Sequence, residues 1–471
     1  MNDAPSPCNV LLLGTGGREH AIAWKLRQSP RLGTLWVQPD ANAGLLALGR
    51  PCDAPLTVRE RFFLKSWIEK NEIDLVIVGP EGPLSEGIVD DLAGTRCRVF
   101  GPTRDGARLE FDKSFAKGVM KQASVPTADG RSFSNHEQAR AYVEARDVPL
   151  VIKATGLCAG KGVVVCSDKE EACAALDRIM RSREFGDAGA SVVVEERLSG
   201  QEMSVLALVD GRTITVLDPC QDHKQVGEGD VGPNTGGMGS YCPTPLATDA
   251  LMEEISREVL VPTVDALRRD GIEFRGVLYA GMMLTPGGPK VLEFNTRFGD
   301  PETQPLMARL QGDLVDILWK TAGGELDGAQ LSFDPRAACC VVVCSEGYPG
   351  KVRVGQVIEG VETADSVAGS GEEVVIFHAG TSRDSSGALV TTGGRVFGVT
   401  ALAADLGRAQ ALANAAAARI RFPGAFFRRD IGHRVLGATS QQGGATSQQG
   451  GATSQQGGAT RRQGGAAAAR G

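Results

Sequence analysis

Short apolar runs alternate with helix-like patterns through the first hundred residues, and this alternation constrains the fold more than any other feature. Strands separated by helices in this order are typical of a parallel, doubly wound sheet. The sequence therefore predicts an N-terminal Rossmann-like α/β domain over residues 1–110. The apolar runs lie at residues 10–13, 35–37, 75–78 and 99–100, with helical patterns at 21–26 and 62–68.

A different pattern begins near residue 111. Apolar runs at 150–153, 163–165, 192–196, 203–208 and 277–292 are in many cases paired across short glycine turns. Such pairs indicate antiparallel sheets with a few helices, which is an α+β arrangement. A chain of 471 residues exceeds what one hydrophobic core usually supports. We expect this second domain to cover residues 111–335.

The C-terminal third predicts a small β-rich domain over residues 336–436. Its apolar runs at 339–344, 374–377 and 394–399 precede an alanine-rich helical run near 411–420. After these, Gly-Ala-Thr-Ser-Gln-Gln-Gly repeats from Gly437 with no large apolar residue at any position. A coiled coil needs apolar residues in its heptad, so this composition predicts a disordered low-complexity tail over 437–471.

Charge and cysteine usage limit the class of partner. The net charge of −7 argues against a general nucleic-acid binder, which would need a basic surface. The eleven cysteines include no C-x-x-C pair, which favours reduced, buried thiols over a disulfide or zinc framework. No apolar run approaches the roughly 20 residues that span a bilayer, and the N-terminus lacks a signal-peptide pattern. We expect a cytoplasmic monomer that acts on small molecules, without nucleic acid or membrane.

A glycine loop follows the first predicted strand directly. Gly14-Thr15-Gly16-Gly17-Arg18-Glu19 opens a helix, where backbone N–H groups and the helix dipole favour an anion. Glu19 stands where the third glycine of a dinucleotide-binding fingerprint belongs. The loop therefore has two readings, a phosphate site or a tight strand-to-helix turn.

Lys153 ends an apolar strand, and the glycine-rich stretch 156–162 follows it. This stretch is one residue shorter than a Walker A loop and has Gly162 where the magnesium-binding Ser or Thr belongs. A lysine that ends a buried strand needs a partner, which nucleotide phosphates would supply. The alternative is a lysine that reaches water from a sheet edge.

Acid, amide and guanidinium groups occupy every second position of a later apolar run, at Glu293, Asn295 and Arg297. In a strand these side chains share one face, while Leu292 and Phe294 face the core. Mg²⁺ prefers oxygen ligands and usually takes only one or two from protein. The run predicts either a magnesium site or a half-exposed strand.

The segment 227–239 contains too much glycine for a helix or a strand. Long irregular loops inside compact domains are commonly functional. We expect either a loop that covers a site or a surface insertion.

Taken in order, these motifs resemble the ATP-grasp superfamily, and closely resemble the phosphoribosylamine–glycine ligase family, also called glycinamide ribonucleotide synthetases. The resemblance covers about residues 10–436. It rests on Gly16-Gly17-Arg18-Glu19-His20, Val78-Gly79-Pro80-Glu81, Gly160-Lys161-Gly162, Gln221-Asp222-His223-Lys224, Gly232-Pro233-Asn234-Thr235-Gly236-Gly237-Met238-Gly239, Phe298-Gly299-Asp300-Pro301-Glu302-Thr303-Gln304, His378-Ala379-Gly380-Thr381 and Arg429-Asp430-Ile431-Gly432.

The resemblance implies ATP-dependent ligation of glycine to 5-phosphoribosylamine through glycyl phosphate, in purine synthesis, with ATP and Mg²⁺ or Mn²⁺. The metal ligands would be Glu293 and Asn295, and the catalytic residues Arg297, Asp222 and Lys224. The implied ATP-binding residues are Lys113, Lys153, Gly160, Lys161, Gly162, Glu195, Glu196, Leu198 and Glu202. The implied substrate-binding residues are Gly16, Gly17, Arg18, Glu19, Asn42, Glu81, Asp300 and Pro301.

Two departures from the family pattern keep other functions open. Asp40-Ala41 adds a residue before Asn42, and Thr155 stands where an Asp is usual. One alternative is an ATP-grasp ligase for another carboxylate and amine, which would show no preference for glycine. The other is a nucleotide-binding module without catalysis, which would bind ATP and release no ADP.

Overall fold

The computed structural model describes residues 3–437 except Pro55, Ala159, Gly160 and Gln330. The chain divides into Met1–Gly432, which holds every element named below, and His433–Gly471, of which residues 433–437 are described and helical. The predicted disordered tail therefore lies outside the described residues from Ala438 onward. No helix in the described range combines the length and apolar character needed to cross a bilayer.

The N-terminal sheet is parallel, with strand order β3-β2-β1-β4-β5. This order confirms the predicted doubly wound sheet. Strands β1 and β4 are buried at every position except Asn9, which explains the continuous apolar runs at residues 10–13 and 75–78. The strands are β1 Cys8–Leu13, β2 Leu32–Val37, β3 Arg50–Pro51, β4 Leu75–Val78 and β5 Arg98–Phe100. The helices are α1 Gly17–Leu26, α2 Ala43–Leu48, α3 Arg61–Lys70, α4 Glu81–Ser85, α5 Ile88–Asp91 and α6 Arg104–Phe111.

The middle of the chain forms two four-stranded antiparallel sheets, with orders β6-β9-β7-β8 and β11-β10-β16-β17. The predicted α+β arrangement is confirmed. The strands are β6 Gly130–Phe133, β7 Leu150–Ala154, β8 Val163–Cys166, β9 Val192–Glu196, β10 Gln201–Asp210, β11 Ile214–Val216, β12 Gln221–Asp222, β13 Gln225–Gly227, β14 Val231–Asn234, β15 Gly239–Cys242, β16 Arg275–Thr285 and β17 Gly288–Asn295. The helices are α7 Lys113–Gln122, α8 His136–Glu144, α9 Lys169–Leu176, α10 Asp249–Ile255, α11 Val261–Arg269, α12 Thr303–Arg309 and α13 Leu314–Gly323.

A bulge in β17 corrects one detail of the predicted alternation. Gly281 pairs with Glu293 and Met282 with Val291, so Leu292 is the extra residue. A bulge shifts the phase of the strand by one residue. Val291 and Phe294 are consequently buried, whereas Leu292, which was expected to face the core, is half-buried. The shift leaves Glu293 and Asn295 on one face, as expected.

The C-terminal sheet draws strands from both sides of residue 335, in the order β12-β15-β18-β22-β19. Strand β15 pairs antiparallel with β18, and so connects the segment before β16 to the C-terminal region. The elements of this region are β18 Ala337–Cys344, β19 Glu373–His378, β20 Thr381–Arg383, β21 Leu389–Thr391, β22 Arg395–Ala403 and α14 Leu406–Ala417.

The glycine-rich segment is more regular than its composition predicts. Strands β13 and β14 pair antiparallel across residues 228–230, with a register shift between Gln225 and Gly227. The expectation that the segment contains no strand is therefore wrong. Gly229 and Asp230 adopt positive φ angles of 71° and 59°, and this left-handed turn makes the reversal between the strands possible.

Candidate functional site

Cationic side chains surround Glu293 near the end of β17. Burial alone would raise the pKa of Glu293, but Lys224, Lys113, Lys153 and Arg297 together hold that pKa below its usual value. The structure thus brings together residues that the sequence placed on four separate motifs. Glu293 is ionised at neutral pH in this environment.

Lys153 and Lys117 share the carboxylate of Glu195. The Lys153 Nζ lies 2.7 Å from Glu195 Oε2 and donates to the Leu292 carbonyl at 2.8 Å. That carbonyl belongs to the bulge residue of β17. An ammonium group has three donors, so Lys153 keeps one for a ligand.

Lys117 uses its three N–H donors for contacts within the protein. Its Nζ lies 2.9 Å from Glu195 Oε1 and donates to Thr127 Oγ1 and the Ala128 carbonyl at 2.9 and 2.7 Å. Burial lowers the pKa of Lys117, and Glu195 opposes that shift. Lys117 therefore neutralises Glu195 and leaves the remaining donor of Lys153 to act on a ligand.

Arg297 connects β17 to the N-terminal region. Its Nη2 lies 3.0 Å from Glu110 Oε1, its Nε 3.5 Å from Glu81 Oε2, and its Nη1 donates to the Phe298 carbonyl at 3.1 Å. Burial would lower the pKa of Arg297, but Glu110 and Glu81 raise it above its usual value. Arg297 also donates from Nη2 to Asn295 Oδ1 at 3.2 Å.

Lys224 and Asp222 lie at the other side of Glu293. Lys224 Nζ is 3.0 Å from Glu202 Oε2, and Glu202 raises the pKa of Lys224 above its usual value. Burial, followed by the nearby Glu302 carboxylate, raises the pKa of Asp222 well above its usual range. Asp222 Oδ1 is buried and has no hydrogen-bond partner among the described residues. Such an oxygen is costly in the free protein and is available to a ligand.

In the glycine loop, the carboxylate of Glu19 bonds to neighbouring residues of the loop itself. Glu19 is 2% exposed, pairs with Arg18 Nε at 2.6 Å through Oε1, and accepts from the Gly16 N–H at 2.8 Å through Oε2. This capping contact closes the N-terminus of α1. Arg18 Nη1 also donates to the Phe298 carbonyl at 3.1 Å, so Arg18 and Arg297 meet at one oxygen.

Asn42 joins three segments of chain and is 3% exposed. Its Nδ2 donates to the carbonyls of Thr15, Gly16 and His378 at 2.8, 2.9 and 3.0 Å. Its Oδ1 accepts from the Leu45 N–H at 2.9 Å and caps α2. The side chain therefore fixes the glycine loop against the C-terminal region.

Asp300 and Pro301 lie between the glycine loop and the glycine-rich segment. Asp300 Oδ1 accepts from Gln304 Nε2 at 2.9 Å, and Asp300 Oδ2 lies 3.2 Å from Arg395 Nη2. Burial would raise the pKa of Asp300, but Arg395 and Arg18 hold it below its usual value. Any side chain at Gly237 would collide with the Pro301 ring.

The other predicted ATP-binding residues are spread along the same two sheets. Gly160 lies outside the described residues, Lys161 is exposed, and a Cβ at Gly162 would lie 2.7 Å from Cys158 Sγ. Glu196 Oε1 pairs with Lys290 Nζ at 3.0 Å, and Leu198 is half-buried just after β9. The individual roles of the predicted site residues stay predictions.

Comparison with known proteins decides the family. Models of the phosphoribosylglycinamide synthetase N, ATP-grasp (A) and C domains match residues 8–110, 111–303 and 338–434. The phosphoribosylamine–glycine ligase of Rhodopirellula baltica is 47% identical over 439 residues, which cover 92% of this chain and 98% of that protein.

The chain belongs to the phosphoribosylglycinamide synthetase family.

Similarity to solved structures supports this family assignment. The phosphoribosylamine–glycine ligase of Thermotoga maritima is 31% identical with a TM-score of 0.77, over 90% of this chain and 100% of that one. A biotin carboxylase domain from Hydrogenobacter thermophilus, solved with MgADP, has a TM-score of 0.68 at 16% identity, over 89% of this chain and 91% of that one. The second likeness shows the shared ATP-grasp fold alone.

Within this synthetase fold, sequence reasoning missed Lys117, Glu110 and Arg395. Lys117 lies one helical turn after Lys113 on α7, so the i, i+4 spacing was a readable signal that both share a face. Glu110 accepts from the Thr296 N–H at 2.8 Å, and Arg395 donates to the Gly236 and Asp300 carbonyls at 2.6 and 2.8 Å. All three bonds join residues more than ninety positions apart, and no local pattern indicates them.

The side chains at the end of β17 fit a hard divalent cation. Glu293 offers an ionised carboxylate, and the Asn295 amide oxygen has a second lone pair beside its bond to Arg297. One or two oxygen ligands from protein are what Mg²⁺ usually takes when phosphates supply others. The cationic neighbours of Glu293 supply positive charge that would balance the negative charge of those phosphates.

Proposed function

We propose that the protein ligates glycine to 5-phosphoribosylamine with ATP, and that it forms glycinamide ribonucleotide, ADP and phosphate in purine synthesis. The observation that carries this proposal is the group of cations around Glu293, in a chain that matches the synthetase family over all three domains. Such a group suits a reaction in which phosphate charge must be held and redistributed. The reaction needs only small molecules and takes place in the cytoplasm on a monomer.

In the first step, a glycine carboxylate oxygen attacks the γ-phosphorus of ATP and ADP leaves, which gives glycyl phosphate. The free donor of Lys153, with Lys113, holds the phosphates, and Lys161 and Gly162 with Gly160 cover them. Arg297, fixed by Glu110 and Glu81, stabilises the charge on the transferring group. Glu195, Glu196 and Leu198 line the adenine, and Glu202 holds the ribose.

Glu293 and Asn295 would hold Mg²⁺ or Mn²⁺ beside the phosphates. When bound, the ion neutralises phosphate charge and orients the phosphoryl oxygens. The chain contributes an ionised carboxylate at Glu293 and an amide oxygen oriented by Arg297.

In the second step, the amine of phosphoribosylamine attacks the glycyl carbonyl carbon, and the bond to the phosphate oxygen breaks. The backbone N–H groups at the start of α1 that Glu19 does not occupy, with Gly16, Gly17, Arg18, Glu81, Asp300 and Pro301, hold the phosphoribosylamine. Glu19 and Asn42 act by fixing the loop that carries those N–H groups. Asp222, with its unpartnered oxygen, and Lys224 orient glycine.

ADP release by the purified protein tests this function. The assay contains ATP and Mg²⁺, with glycine and freshly generated phosphoribosylamine supplied singly and together. Full turnover that requires both substrates supports the synthetase. Turnover with another carboxylate or amine would assign the site to a different ligase reaction, and absence of ADP release in every mixture would favour a binding module.

A further inference from the structure

The hairpin formed by β13 and β14 begins and ends at the proposed site. Lys224 immediately precedes β13, and Thr235 immediately follows β14. The Thr235 N–H and Oγ1 both donate to the Lys224 carbonyl, at 2.7 and 2.8 Å. The same lysine reaches Glu202 with its ammonium group. A displacement of the hairpin would therefore move Lys224.

The hairpin has little apolar surface with which to hold its own position. Strand β14 is exposed along its whole length, with Val231 61% exposed, and β13 is half-buried. A two-stranded hairpin without a packed face is marginally stable in water. Its position must depend on contacts from elsewhere in the fold.

Those contacts come from residues 428–430. Arg428 is 1% exposed, and its Nη1 donates to the Gln225 carbonyl and to Asp230 Oδ1, both at 3.0 Å. Its Nε and Nη2 each donate to Asp430 at 2.8 Å, in the bidentate geometry that fixes a guanidinium plane. Arg428 is thus oriented by Asp430 and binds the first residue of β13 and the last residue of the turn.

The turn of the hairpin is held at two further points. The Gly229 N–H donates to Asp430 Oδ2 at 2.7 Å, and the Arg429 N–H donates to Glu228 Oε1 at 3.0 Å. Every residue of the turn, 228–230, therefore contacts the segment 428–430. This segment lies in the Arg-Asp-Ile-Gly motif region, for which the proposed chemistry has no other use.

We propose that Arg428 is a positioning residue for acyl transfer, which clamps the hairpin so that Lys224 stays in place and water is kept from glycyl phosphate. This inference rests on the proposed function. If the hairpin is released, water attacks the glycyl carbonyl carbon and the bond to the phosphate oxygen breaks. Glycine and inorganic phosphate are then formed, so ATP is consumed without amide product.

The contacts of Arg428 with Gln225 and Asp230 are called the clamp below. Two variants weaken it, one at Arg428 and the other at Asp230. Arg428→Lys keeps the charge but loses the planar fork that serves Asp430 and the hairpin together. Asp230→Asn removes the charge at the turn, and Asn tolerates the φ of 59° found there. Arg408→Lys is the matched control, because Arg408 makes a bidentate pair with Glu372 on the exposed surface of the C-terminal region.

The first readout is the ratio of ADP to amide product in the complete assay, together with ADP release when the amine is omitted. We expect both clamp variants to raise the ratio severalfold and to release ADP with glycine alone. Hydroxylamine, which traps an acyl phosphate as a hydroxamate, should give more hydroxamate with the clamp variants. Arg408→Lys should match the wild type in each measurement.

The second readout does not depend on the reaction. Glu228 is exposed at the turn, so a glutamyl endopeptidase reports on release of the hairpin by the rate of cleavage after this residue in the full-length protein. We expect severalfold faster cleavage in Arg428→Lys and Asp230→Asn and an unchanged rate in Arg408→Lys.

Unchanged ADP-to-product ratios in both folded clamp variants would overturn the proposal, as would unchanged cleavage rates. If the wild type releases no ADP with glycine and phosphoribosylamine, the proposed function fails with it. That result is distinct from failure of the clamp alone, in which the wild type is an active synthetase and the variants behave identically to it.

Discussion

The glycine loop at residues 14–19 follows β1, whereas Glu293 and Asn295 lie at the end of β17. Both regions were predicted to bind ligands, but their side chains make different use of their hydrogen-bonding groups. In the loop, Glu19 is buried against Arg18 and Gly16, and Asn42 is occupied by three carbonyls and one N–H. At β17, Asn295 retains a lone pair, and Lys153 of β7, which donates to the Leu292 carbonyl, retains a donor.

We infer from this difference that unused hydrogen-bonding capacity, more than residue type, distinguishes candidate ligand-binding positions from positions that build the loop. The two regions meet at the Phe298 carbonyl, which accepts from both Arg18 and Arg297. Substitutions on the two sides should therefore separate, with losses of turnover at β17 and losses of stability at the loop.

The largest effect should follow Glu293→Gln. The variant keeps the shape of the side chain and removes the charge that the surrounding cations and a divalent ion require. Loss of one such electrostatic contact typically lowers kcat by about 10²–10³-fold. Steady-state ADP release measures this, with Glu273→Gln as a control, since Glu273 is an exposed residue paired with Arg275. A kcat close to that of the wild type would show that Glu293 has no role in the reaction.

Glu19→Gln should instead act on stability. The amide can still accept from Gly16 but leaves buried Arg18 without the carboxylate that it contacts at 2.6 Å. Removal of one partner of a buried ion pair typically costs about 3 kcal/mol in the free energy of unfolding. Urea unfolding measures the change. If stability is retained while KM for phosphoribosylamine rises, Glu19 contacts the substrate directly and the contrast between the two regions breaks down.

Asn42→Ala should cost less, about 2 kcal/mol, because it removes one helix cap and the bonds to three carbonyls that water can partly replace. Asn135→Ala is the matched control, since Asn135 also caps a helix, α8, by accepting from the Gln138 N–H at 3.0 Å, and is exposed. The control should lose about 1 kcal/mol. Equal losses in urea unfolding would show that the link to His378 contributes nothing.

The sequence predicted the sheets of the N-terminal and middle regions well, because apolar periodicity is a local signal that burial on one or both faces imposes. It predicted the shared face of Glu293 and Asn295 for the same reason. It missed the bulge at Leu292, the paired strands at 225–234, and the internal use of Glu19 and Asn42. Each of these depends on partners distant in sequence, such as His378 for Asn42 or Arg428 for the hairpin.

The smallest effect should come from substitution of Asp222. Its effect on the pH dependence of stability should be opposite in sign to that of Glu293. The folded pKa of Asp222 is raised, first by burial and then by Glu302, so its contribution to stability is fully present below the unfolded pKa and is lost as the pH rises through the folded value. Glu293 has a lowered folded pKa, so its contribution is present above the unfolded pKa and is lost as the pH falls through the folded value.

Asp222→Asn should therefore match the wild type in Tm at about pH 4 and become progressively more stable than the wild type as the pH is raised to 8. Glu293→Gln should show the reverse trend, with its greatest relative deficit at neutral pH. Thermal unfolding of the nucleotide-free protein across this pH range measures both. A constant Tm difference between Asp222→Asn and the wild type would mean that Asp222 is already ionised in the folded protein. In that case Lys224 offsets its burial, and the two carboxylates beside Lys224 are equivalent instead of opposed.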